Sequence, residues 1–200
     1  GAEGITTFSW GGMLPPFSHG IADAQMTPAE LRPFNRYLAP EARGFDVIRS
    51  YICPSDSSAS NPAFGQSSGS GEPDNGVANW REFGTSYSIS WHWLWAFREA
   101  PLQTRELAHA LMEDGPRLLK KCRGGPASRV IWNSENHFDQ SINATSSTLN
   151  PEQPAGTQGT GWHGRFSTHT VLFLDGHAEH RFFDTRYSSG PGWMVVPPLP

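Results

Sequence analysis

Apolar and polar positions alternate most clearly near the C-terminus. Thr170 to Leu174 is a β-branched and apolar run, Asp175-Gly176 interrupts it, and His177 to Phe183 returns. Asp-Gly suits a two-residue hairpin turn because a type I′ geometry needs positive φ at both central positions. Three other runs carry a strand signature: residues 45–53, 84–95 and 129–134. In the second of these, Tyr87, Ile89, Trp91 and Trp93 fall on one side, as a period of two requires. A sustained helical period occurs at Arg105 to Asp114, where Leu107, Ala108, Leu111 and Met112 share a face between a Thr104 cap and a Gly115-Pro116 stop. A short turn with Leu118, Leu119 and Cys122 follows. Thr27-Pro28-Ala29-Glu30 has the form of a capping box, and Pro33 limits that helix to about one turn. A second short turn is expected through Asn35, Arg36, Tyr37 and Leu38. The expected fold is α+β. An antiparallel sheet is built from residues 45–53, 84–95, 129–134, 169–174 and 177–183, with one main helix packed on it and long ordered loops.

A chain of 200 residues can bury a core of its own, and no internal repeat divides it. The Ser/Gly/Pro-rich stretches at 55–79 and 139–161 read as loops rather than linkers, because the strands on either side form no separate cores. One domain over 1–200 is expected, with 1–26 and 188–200 as extended arms. Hydrophobic residues make up 36% and charged residues 17%, against 21 Gly, 17 Pro and 8 Trp. That balance favours short strands, ordered turns and aromatic burial over a helical bundle. The net charge of −4 is spread without acidic or basic blocks, so neither nucleic acid nor a membrane surface is an expected partner. No apolar run approaches the roughly 18–20 residues that span a bilayer. The sequence opens Gly1-Ala2-Glu3-Gly4 with neither Met nor an apolar signal region, which reads as a processed or truncated product. Cys53 and Cys122 fit one disulfide or two buried thiols. Few Lys and many Ser, Thr, Gly and Asn point to export and favour the bridge, worth roughly 3–4 kcal/mol on a chain-entropy estimate.

The eight histidines raise the question of a metal. His169, His177 and His180 flank the hairpin turn, with Asp175 and Glu179 between them. A two-residue turn pairs 169 with 182 and 171 with 180, which puts His169 and His180 on one face and His177 and Glu179 on the other. A set split across a sheet is a poor tetrahedral site, so no metal or other cofactor is expected. The one weak oxygen donor for a structural Ca²⁺ is Asp175 with its loop carbonyls. Asp56, in Cys-Pro-Ser-Asp, reads as turn and capping chemistry. Trp80, Trp91, Trp93 and Trp95 read as core or subunit-interface packing, or alternatively as a sugar-stacking platform. Asn143-Ala144-Thr145 is the sole N-glycosylation sequon. No P-loop, H-E-x-x-H or C-x-x-C appears, and the serines sit mostly in loops, so no catalytic residues and no enzyme are expected.

Four landmarks stand in order: Arg-Pro-Phe-Asn-Arg-Tyr-Leu (32–38), Tyr-Ile-Cys-Pro-Ser-Asp (51–56), Phe-Gly-Thr-Ser-Tyr-Ser-Ile-Ser-Trp (83–91) and Val-Leu-Phe-Leu-Asp-Gly-His (171–177). Together they resemble the head regions of bacterial prepilin-like, or pseudopilin-like, proteins with a C-terminal His-x9-Asp-Gly motif. Arg-Val-Ile-Trp-Asn-Ser-Glu (129–135) is similar to that family's strand ending in Glu, and the match spans most of residues 30–185. Two departures stand out. Eleven residues rather than nine intervene between His163 and Asp175, and Arg165 occupies the family's His position. The family's leader and long apolar helix are also missing from this sequence. The resemblance implies a pilin-like globular head acting as a structural subunit of an extracellular or cell-surface filament, with itself as partner in a helical homopolymer. Residues 4–10 or 192–200 are then the expected contact arms, the prolines favouring the N-terminal one for strand addition. The rival reading is a secreted carbohydrate-binding or adhesive module using the Trp cluster, with glycans as partners; a secreted hydrolase is weaker still.

Overall fold

The computed structural model describes residues 11–13, 27–56, 78–90, 92, 117, 120, 122, 126–142 and 158–196. Where one domain is expected, the chain divides into two compact units, Glu3–Ile89 and Ser90–Pro200. No described helix is long and apolar enough to cross a membrane. An antiparallel sheet with a few short helices makes the fold α+β.

The first unit opens its described part with a 3-10 turn, Ala29–Leu31, rather than the capped helix that Thr27 and Glu30 suggest. Its N-cap residue is Pro28, which has no side-chain hydroxyl to cap with. The Glu30 carboxylate instead accepts from the Gly44 amide, 2.8 Å away. Helix α1 follows at Asn35–Leu38, as its spacing predicts. Residues 45–53 do not form the expected strand but turn through a 3-10 segment, Arg49–Tyr51. The reason is visible in burial: Phe45 and Val47 are exposed while Ile48 and Tyr51 are buried, a spacing of three rather than two. Those two pack with Ala29, Ala39 and Ala42 in a small core. Helix α2, Asn79–Phe83, leads through a left-handed Gly84 into strand β1, Tyr87–Ile89, which is all that is described as strand within 84–95.

In the second unit, residues 117, 120 and 122 are helical, and the predicted helix Arg105–Asp114 lies outside the described residues. Strand β2, Ile131–Glu135, passes without a loop into helix α3, Asn136–Ile142, for which the sequence carries no cap or breaker signal. Strands β3, Thr168–Phe173, and β4, Ala178–Phe182, complete a β2-β3-β4 antiparallel array. The β3–β4 register differs by one from the two-residue-turn reading. His169 pairs with Arg181 and Thr170 with His180. The cause is the turn: the Phe173 amide donates to His177 O and the Gly176 amide to Phe173 O, leaving a three-residue loop with Gly176 at φ +95°. A one-residue slip reverses every face assignment. His169, Val171 and Phe173 therefore face the core; Glu179 and His177 share that side of the hairpin by register but lie largely in solvent, while His180 is on the opposite face.

The segment expected as a C-terminal arm is folded as far as it is described. Strands β5, Ser189–Gly190, and β6, Trp193–Met194, form a hairpin, and the Met194 amide donates to Arg129 O at 2.8 Å. Trp193 and Val195 join Ile131, Phe138, Phe173 and Phe183 in the main core. The rings of Phe138, Phe183 and Trp193 meet edge-on at 5.4–6.1 Å, the orientation their quadrupoles favour.

Candidate functional site

In the first unit the motif residues do structural work. The buried Arg32 guanidinium donates to Gly11 O at 2.8 Å and to Thr27 O at 3.0 Å. The Asn35 amide donates to Gly12 O and Ala29 O and accepts from the Gly12 amide. Together they pin residues 11–13 against the helical turns. Asp56, buried, accepts from the Asn79 and Trp80 amides at 2.9 and 3.1 Å and from Ser86 Oγ at 2.6 Å. It caps α2 from over twenty residues away and leaves little room for a ligand. Burial raises its carboxyl above the usual range, against the lowering effect of those hydrogen bonds.

The second unit holds a different kind of cluster. From Asn133 to His137 the β2–α3 junction is polar, yet every residue in it is buried. Phe138 and Ile142, four apart, anchor α3 in the apolar core, and Ser141 Oγ ties back to His137 O at 2.8 Å. That anchoring drags the polar junction beneath the surface. Glu135 has no exposed surface, and its Oε1 meets His163 Nε2 at 2.7 Å, while the His163 ring reaches solvent. Its other oxygen, Oε2, has no hydrogen-bond partner and lies 3.9 Å from Nδ1 of His169, which is fully buried and has no hydrogen bond at either nitrogen. His137 stacks on His169 at 5.6 Å, and Phe138 meets it edge-on at 5.5 Å. A second buried pair, His92 Nε2 and Asp139 Oδ1, stands at 3.0 Å.

The 159–167 turn carries His163 to this site. The Gly164 amide donates to Gly161 O, and the Ser167 amide to Gly159 O at 2.7 Å. Gly161 packs so close that a Cβ would fall 2.8 Å from Thr168 O and 3.5 Å from His169 Nδ1. Ser167 takes φ +48°, uncommon for a non-glycine, and its hydroxyl donates to Phe183 O at 2.6 Å. Burial pushes the His169 imidazole down to about 3, with neighbouring His137, His180 and His163 adding to it, and pushes His137 down to about 4. Both rings are thus neutral at neutral pH. The arrangement is a buried carboxylate between two imidazoles, one wet and one dry, which can hold a proton.

Asp175 is exposed and bonded within its own turn to the His177 amide and ring; these bonds hold its carboxyl below the usual range. Cys53 is buried in the first unit and Cys122 in the second. Trp80 is half-buried with the Arg81 guanidinium 5.1 Å from its ring centre. Trp91, Trp93, Trp95 and Asn143 lie outside the described residues, as does Gly65-Gln66-Ser67-Ser68-Gly69, which fits G-x-S-x-G by letter. Gly159-Thr160-Gly161-Trp162-His163-Gly164 fits G-x-G-x-x-G by letter, but it leads into strand β3 rather than a helix, so it is not a dinucleotide turn. The His-Glu-His cluster is what the sequence reading missed; its one signal is an uninterrupted polar run directly after an apolar strand. No family model, curated protein or solved structure matches the chain.

Proposed function

We propose that this chain is a non-catalytic structural subunit of an extracellular or cell-surface filament, with a pilin-like head, acting by self-association through that folded head. The observation that carries the reading is the exposed apolar surface of the first unit. Leu31, Phe34, Tyr37, Leu38, Phe45 and Val47 all lie between residues 31 and 47, and the most exposed, Phe45, is 72% accessible. Monomers seldom leave so many large apolar side chains in water, and such concentrations mark interaction surfaces. The surface falls partly within the Arg32–Leu38 motif, whose residues Arg32 and Asn35 are buried while Phe34, Tyr37 and Leu38 are exposed beside the exposed Arg36. The buried half is used for folding and the exposed half is left for a neighbour. A head-to-tail contact through this surface that does not close into a ring generates a fibre.

The test is imaging of the native material together with light scattering of the purified chain across concentration. Association is expected, and Phe45→Asp is expected to weaken it by at least about tenfold, or ~1.4 kcal/mol, without lowering Tm. A chain monodisperse at every concentration, with nothing fibrous in its source, overturns the reading.

A further inference from the structure

We infer that Arg165, Phe166 and Phe182 form the counter-surface that receives Phe45, Asp46 and Val47 of a second copy of this chain, on the footing of the self-association proposed above. A contact that propagates without closing joins two different surfaces, because a surface that pairs with itself ends at a dimer. The apolar residues exposed within 31–47 supply one of the two. Among the described residues, the large apolar side chains exposed elsewhere are Phe166, at 58%, and Phe182, at 53%. Both belong to the open end of one hairpin, since Phe182 pairs with Thr168 in the β3–β4 ladder and Phe166 precedes Thr168 by two residues.

The fold holds that end rigid without using either ring. Ser167 and Phe183 are fully buried and tied to each other twice, by Ser167 Oγ donating to Phe183 O at 2.6 Å and by the Phe183 amide donating to Ser167 O at 2.8 Å. Successive side chains along a strand point to opposite faces, so the burial of Phe183 turns Phe182 outward. Charge selects the occupant. Arg165 is exposed beside Phe166, and Asp46 is exposed between Phe45 and Val47; neither has an ion pair among the described residues. One Asp46 oxygen accepts from the Arg43 amide at 2.9 Å. The nearby cations of that surface are taken up within their own segment: Arg43 donates to Pro40 O and Ala42 O, and Arg36 lies over the Tyr37 ring at 4.5 Å. An unpaired carboxylate beside one apolar surface and an unpaired guanidinium beside the other favour joining the unlike surfaces over pairing either with itself.

Analytical ultracentrifugation of full-length chains, alone and mixed, tests the pairing. Phe45→Asp and Phe182→Asp each spoil one surface and keep the other. Each alone is expected to associate at least about tenfold more weakly than the parent. An equimolar mixture of the two is expected to form one-to-one dimers and nothing longer, because one intact surface of each kind remains. Asp46→Arg is expected to weaken association, and adding Arg165→Asp in the same chain to restore it. If the parent associates while Phe182→Asp does so equally well, or if the mixture stays monomeric, the counter-surface is wrong and self-association stands. A parent that is monodisperse at every concentration overturns both. If Phe182→Asp lowers Tm, Arg165→Glu decides in its place: it is expected to keep the parent's Tm and weaken association, and parent-like association overturns the pairing.

Discussion

Gly84→Ala tests how the first unit is held together. Gly84 ends α2 with φ +81°, and its carbonyl accepts from the Met13 amide at 2.9 Å. A Cβ at Gly84 would lie 1.9 Å from Met13 O, and one at Gly12 2.2 Å from Gly84 O, so two glycine backbones are pressed face to face. Alanine at a left-handed position costs about 1 kcal/mol on conformation alone. The clash is with backbone, which cannot swing aside as a side chain can. Relieving it separates the two segments enough to break the Met13–Gly84 hydrogen bond and leave buried groups unpaired, roughly 2–3 kcal/mol more. The total expected is about 3–4 kcal/mol, large on the scale of single substitutions. Gly44→Ala is the control in the same unit, because Gly44 has φ +49° but nothing within 4 Å of its Cβ position, so only the conformational cost remains. Urea unfolding gives the energies, and hydrogen exchange at the Met13 amide reports the bond itself. If Gly84→Ala loses no more than Gly44→Ala, and the Met13 amide stays protected, the face-to-face contact does not stabilise this unit.

Asp56→Ala is expected to cost about 2–4 kcal/mol because it leaves two helix amides and a buried hydroxyl without an acceptor, with Asp56→Asn costing less; a loss under ~1 kcal/mol in the alanine variant, read by urea unfolding, contradicts the capping role. His137 and His169 take up protons when unfolded near the ordinary imidazole pKa of 6.5 but only at about 4 and about 3 when folded. Their folded pKa values are lowered, so the unfolded chain binds more protons in that window and stability falls as pH falls from 6.5. The pair is expected to remove roughly 3–4 kcal/mol between pH 7.5 and 5. His137→Gln should halve that loss, and an unchanged slope in its unfolding curves refutes the burial argument.

Elements whose evidence is local were legible in the residues alone. The period-two runs at 129–134, 169–174 and 177–183 return as β2, β3 and β4, and the short turn at Asn35–Leu38 is where spacing puts it. The 45–53 run misleads, because apolar residues at 45, 47, 48 and 51 fit either period until burial shows which pair faces inward. The Asp175-Gly176 signal locates the hairpin but not its loop length, and one residue decides whether His169 faces the core. What only tertiary structure decides is every relationship across long separations. Asp56 caps a helix 23 residues on, Arg32 and Asn35 pin backbone more than twenty residues back, and Glu135 meets His163 across 28 residues. No spacing rule connects such pairs, because contacts across more than twenty residues are set by packing and not by local periodicity. The sequence by itself therefore determined strands β2, β3 and β4 and which of them carry histidine. That Glu135 ends up dry between two imidazoles follows from Phe138 and Ile142 drawing the start of α3 into the core, an effect of apolar burial that polar residues only inherit.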